Sequence, residues 1–125
     1  MSRMKTWLTT SFAFLAITTS VHAQDIVQTF ATCTGRLSAQ MEHEWLMNDP
    51  ASERTETHRA TMIALLDAVS PPNRGRDILA WRIDAKSAHA MLLTRATFND
   101  DTEDAAWALR RAQTQVSACT GLLLS

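Results

Sequence analysis

Three breaks at nearly regular intervals limit what this chain can become. Asn48-Asp49-Pro50, Ser70-Pro71-Pro72-Asn73-Arg74-Gly75 and the polar run from Asn99 to Asp104 each stop or start a helix. They leave four segments, 25–48, 50–70, 74–98 and 101–123, each several helical turns long. Between the breaks there is almost no strand signal. Tyr is absent, β-branched residues do not alternate over a useful length, and no Asn-Gly or Asp-Gly hairpin turn occurs. The breaks themselves read as helix punctuation. Asp49 is placed to cap a helix with Pro50 at its first position. Asp100, followed by Glu103 three residues on, reads as a capping box. The acidic run lacks the alternating ligands and glycine of a calcium loop, and helix N-termini favour carboxylates.

Each segment carries an apolar stripe at helical spacing. Ile26, Phe30, Cys33, Leu37, Met41 and Trp45 line the first. Met62, Leu65, Leu66 and Val69 line the second. Ala105, Leu109, Ala112, Val116, Cys119 and Leu123 make a heptad-like seam in the fourth. In the third, Ile78, Trp81, Ala85, Ala88, Leu92 and Ala96 form one stripe, while Ile83, Met91 and Phe98 fall elsewhere, so its inward face stays open. Four such helices with short connections predict an all-α, up-down-up-down four-helix bundle.

The same geometry explains the two cysteines. They stand at the ends of the chain, in Cys33-Thr34-Gly35 and Cys119-Thr120-Gly121, on the inward stripes of neighbouring helices. The start of helix 1 and the end of helix 4 share one end of the bundle. A Cys33–Cys119 disulfide is therefore expected, in a compartment where such bonds persist. Gly35 fits less well. It falls mid-helix on the outer face, at a cost of about 1 kcal/mol relative to Ala.

The first residues indicate the compartment. Arg3 and Lys5 precede an apolar run from Trp7 to Ile17, and small and polar residues follow, ending in Val21-His22-Ala23. This is the plan of a secretory signal peptide over residues 1–23, cleaved before Gln24. The run is shorter than the 20 or so apolar residues that span a bilayer. No cysteine stands at the cleavage point to carry a lipid. The expectation is a single helical domain over residues 24–125, periplasmic or secreted, with no membrane association after cleavage. Of 12 basic residues the leader removes Arg3 and Lys5, which leaves ten against 13 acidic, a net charge of −3. That balance points away from nucleic acid, whose partners show a basic patch or stripe.

Familiar chemistry is missing from the sequence. There is no C-x-x-C pair and no C-x-x-C-H haem attachment. There is also no phosphate-cradling glycine loop, no H-E-x-x-H and no G-x-S-x-G elbow. Three readings remain. In the leading one, the protein is not an enzyme, needs no cofactor and acts through protein contacts. Trp107, outward beside Arg110 and Arg111, has the composition of an interaction hot spot. The alternative is a bundle that holds a copper-like metal or a non-covalent haem. Met41, His58 and His89 fall at similar depth in helices 1, 2 and 3, with Glu44 one turn nearer the mouth, and thioether and imidazole suit such groups. His43, in Met41-Glu42-His43-Glu44, falls on the polar side, away from Glu44. An enzyme would need a perturbed acid in a cleft, for which Glu44 is the one candidate. The partner and the oligomeric state are not encoded in any feature of the sequence.

Overall fold

The computed structural model describes residues 23–124; the leader expected over residues 1–23 lies, but for Ala23, outside them. Four helices follow in order: α1 (Ala23–Leu46), α2 (Ser52–Val69), α3 (Gly75–Phe98) and α4 (Thr102–Gly121). Met62 packs with Cys33 and Leu37, and Leu66 packs with Val27 and Ala31, so α2 runs antiparallel to α1. Arg95 of α3 reaches Asp104 of α4, while His89 reaches Gln115, so these two are antiparallel as well. Gly35 and Gln40 of α1 meet Arg82 and His89 of α3 in the same order, so these two run parallel and directions alternate along the chain, as in the expected bundle. Among the described residues no helix is long and apolar enough to cross a membrane.

The punctuation works nearly as read. Asn48 takes a left-handed conformation (φ 53°) just beyond α1. The Asp49 N–H reaches the Glu44 carbonyl at 2.8 Å and the Asn48 N–H reaches that of Trp45 at 3.2 Å. This Schellman arrangement satisfies two of the carbonyls that a helix end strands. Asp49 Oδ1 accepts from the Ala51 N–H at 2.9 Å, but it caps only the preceding turn: α2 begins at Ser52 rather than Pro50, with Ala51 at its N-cap and no side-chain cap. At α4 the cap is one residue later than expected. Asp101, not Asp100, accepts from the N–H groups of Glu103 and Asp104. Asn99 Oδ1 holds the Asp101 N–H at 3.1 Å and sets that register.

Helix α1 is the centre of the fold. It packs against each of the other three helices, most extensively against α3. In a regular square bundle the first and third helices face each other across a diagonal and stay apart. Here they touch, and Gly35 is the reason. A Cβ on Gly35 would collide with the Arg82 carbonyl oxygen and would press on Lys86 N at 3.0 Å and Ala85 Cβ at 3.1 Å. The outer-face placement of Gly35 is thus corrected: the missing side chain lets α3 lie directly on α1. Small neighbours continue the close approach, since Ala31, Ser38 and Ala39 are all buried. Two buried hydroxyls on this helix bond back to its own backbone, and Ser38 Oγ also accepts from Arg59 Nε of α2 at 2.7 Å. Thr34 Oγ1 donates to the Phe30 carbonyl and Ser38 Oγ to that of Thr34, both at 2.8 Å. Bonding back one turn is how Ser and Thr are accommodated inside helices.

Centrality also corrects the α1 stripe. Cys33, Leu37 and Met41 are buried as expected, but Ile26 and Trp45 at its ends are exposed. Burial spreads instead around the helix to Val27, Ala31 and Thr34. The α4 seam turns as well: Ala108, Ala112 and Cys119 are buried while Leu109 is 45% exposed. At 100° per residue, Ala108 lies about 20° from Cys119 around the axis and Leu109 about 80°. A straight helix drifts off a seven-residue repeat in this way. In α3 the open question resolves to His89 and Leu93, both fully buried, while Ala88 is exposed.

The core has two parts. Cys33, Leu37, Met62 and Cys119 form one, with Val116 and Leu123 against them. Val27, Ala31 and Leu66 form the other, covered by Ile78 and Trp81. Phe30 packs on both. The Cys33–Cys119 disulfide is present, with the two Cα atoms 5.4 Å apart across 86 residues of sequence.

Candidate ligand pocket beside Glu44

A chain of polar contacts links the buried Glu44 and His89. Gln40 of α1 stands one turn before Glu44, and its Nε2 donates to Glu44 Oε1 at 2.9 Å. That bond fixes the orientation of the amide, so Gln40 Oε1 is free to accept. It does so from His89 Nε2 at 2.9 Å. Neutral imidazole carries one N–H; with it on Nε2, bare Nδ1 faces Gln115 Oε1 at 3.3 Å as one acceptor to another, and Gln115 accepts from Nδ1 only when the ring is protonated. His89 has no exposed surface. Burial is the main cause that holds it below the ordinary imidazole pKa of 6.5. The Gln115 hydrogen bond acts the other way, and the charges of Arg36 and His43 add to the lowering. A buried imidazole bonded to Gln40 and set against Gln115 is a structural link from α3 to α1 and α4.

The far end of this chain is not closed. Glu44 is only 7% exposed, and its Oε2 is shut off from solvent with no hydrogen-bond partner among the described residues. Leaving a buried polar atom unpaired costs about 1–3 kcal/mol, and more when it is charged. Glu44 lines a pocket of about 400 Å³ between α1, α3 and α4. The size is within the range of small-molecule sites. Leu93, Ala96, Leu109, Ala112 and Val116 supply the apolar wall, with Met47 at the α1 end. Thr97, Gln113 and Ser117 add polar groups, and Asp49 a second carboxylate. His43, on the same wall, has Nε2 within 3.2 Å of Thr97 Oγ1. The rotation of α4 explains why the pocket is open: the small Ala108 and Ala112 turn inward and Leu109 moves to the rim.

The residues singled out from sequence are distributed as follows. Cys33 and Cys119 are bonded. Glu44 points inward and is buried. Met41 is buried, His58 is half-buried on α2, and His89 faces Gln40 and Gln115 rather than either of them. Among the described residues no three His, Cys, Asp or Glu side chains are placed to hold a metal ion. Trp107 is 46% exposed on the outer side of α4. The Arg95 guanidinium covers its ring at 5.2 Å and pairs with Asp104 at 2.6 Å, tying the end of α3 to the start of α4. That hydrogen-bonded pairing holds the Asp104 carboxyl below its usual range. Arg110 and Arg111 are exposed. Sequence reasoning missed Gln40 and Asp49 in the pocket lining and Gln115 beside His89. The one available signal was Gln40 standing four residues before an inward carboxylate.

Comparison of the chain with protein-family models, with characterised proteins and with solved structures finds no match.

Proposed function

We propose that this chain is an exported binding protein without enzymatic activity, and that the pocket between α1, α3 and α4 is where it binds. The observation that carries the reading is the carboxylate of Glu44, buried in the wall of a pocket with an apolar side, with one oxygen unpaired among the described residues. Catalysis by acid–base or nucleophilic chemistry needs a group that can reach a substrate. His89 is sealed inside the bundle and both cysteines are bonded, which supports binding over turnover. The signal-like start and a disulfide of the kind that persists in oxidising compartments support export. Two measurements test this. The protein isolated from an exporting cell should begin at Gln24 by N-terminal sequencing; a retained Met1 counts against export. Titration with small amphiphilic fragments, followed by amide NMR, should give saturable shifts centred on Leu93, Ala112 and Val116. Shifts scattered over the surface without saturation defeat the pocket.

A second reading has its own observation. Trp107 leaves nearly half its surface exposed beside Arg110 and Arg111, a composition suited to a protein contact. Trp107→Ala removes an exposed cation–π contact, which is worth about 0.5–1 kcal/mol. It should therefore lower stability by about 1 kcal/mol while weakening capture of any protein partner. A loss of several kcal/mol in urea unfolding marks Trp107 as structural and ends the contact reading.

A further inference from the structure

We infer that the pocket beside Glu44 takes an organic cation, with an ammonium-type head at the carboxylate and a short alkyl body along α4. The inference rests on the pocket being a binding site and adds the chemistry of its ligand.

Charge carries the first step. Two carboxylates, Glu44 and Asp49, line the pocket, and no Lys or Arg does. Asp49 uses Oδ1 on the Ala51 N–H, and Glu44 uses Oε1 on Gln40. Glu44 Oε2 has no donor among the described residues. Among the described residues no Lys or Arg therefore stands in the pocket to meet a group that the fold has already desolvated. An anionic or neutral acceptor ligand would leave that oxygen unpaired, whereas an N⁺–H donor pairs it with a charge-assisted hydrogen bond. Oε2 is covered by the surrounding protein. The terminal torsion of Glu is soft, so a small turn offers an oxygen to the ligand while Gln40 keeps hold of the other.

The shape of the wall carries the second step. Leu93, Leu109 and Val116 give the pocket an apolar side that a bare metal ion does not use. A metal also needs several converging donors, and no such group exists among the described residues. An alkylammonium satisfies both the carboxylate and the wall. Gln40 couples the site to the fold, since the amide that holds Glu44 also receives the His89 N–H.

Calorimetric titration with three probes of one length, hexylammonium, hexan-1-ol and hexanoate, tests the proposal. Wild type should bind hexylammonium at least about tenfold more tightly than hexanol, the scale of one charge-assisted hydrogen bond. Hexanoate should bind weakest. In Glu44→Gln the gap between amine and alcohol should close, with alcohol binding kept. Equal binding of amine and alcohol to wild type, or a preference that survives in folded Glu44→Gln, overturns the cation while leaving the pocket as a binding site. Failure of all three probes to bind removes the pocket reading itself. Leu109→Arg, at the exposed rim, guards against misfolding of the Glu44 variant. A fixed cation at the mouth should weaken hexylammonium more than hexanol, and an unchanged ratio of the two affinities in this variant also overturns the proposal.

Discussion

Reduction of the Cys33–Cys119 disulfide lowers the stability of the bundle by about 4 kcal/mol. The bond closes 86 residues of chain, and in the chain-entropy account a loop of this length constrains the unfolded state by about that amount. Both sulfurs lie in the core with Leu37 and Met62, so the native packing is built around the linked form. Urea unfolding of oxidised and dithiothreitol-reduced protein makes the comparison without altering composition. The midpoint should fall and the slope should steepen, because the reduced chain exposes more surface when it unfolds. An unchanged midpoint would mean that helix packing alone determines stability. Cys33→Ala with Cys119→Ala adds the loss of buried sulfur and should fall a little further.

A second large effect has a sign that depends on which physics wins. Gly35→Ala in an isolated helix stabilises by about 1 kcal/mol. In this fold the new methyl meets the Arg82 carbonyl oxygen, a backbone atom that cannot swing aside as a side chain can. Helices α1 and α3 must separate. Overpacking of this kind costs about 1–3 kcal/mol, and the separation also strains the bond from Gln40 to His89. We expect a net loss of about 2 kcal/mol or more by thermal or urea unfolding. Gly75→Ala is the control, because nothing lies within 4 Å of an added Cβ there. A Gly35→Ala protein as stable as wild type would show that α3 does not seat directly on α1.

The parts of the fold that could be read from sequence are those that depend on one segment at a time. Pro50, Pro71, Pro72 and the Asn99–Asp104 run mark helix ends through local backbone chemistry alone. The disulfide was legible because both cysteines fall on stripes whose ends must meet in any up-down bundle. Glu44 was legible as an inward carboxylate through its place beside Met41 on the same helix. Features created by a partner were not legible. The role of Gly35 exists only once Arg82 lies against it, and helical spacing cannot indicate which helix will take the centre. The α4 face was misjudged at Leu109 because a seven-residue repeat and a 3.6-residue helix part company over three turns. Gln40 and Gln115 join His89 by side-chain reach, which leaves no periodic trace. At the third break, Asp100 and Asp101 are both good caps, and only the Asn99 contact decides between them.

The position of the disulfide near both chain ends has a mechanical consequence. A pull applied between the two termini is carried from Cys33 straight to Cys119 through a covalent bond. Residues 34–118, which hold α2, α3 and most of α1 and α4, feel none of that tension. About 290 Å of extended chain is thereby withheld from stretching. Force unravels only what lies outside the bond, and the walls of the Glu44 pocket, all within residues 40–117, stay slack while the ends are under load.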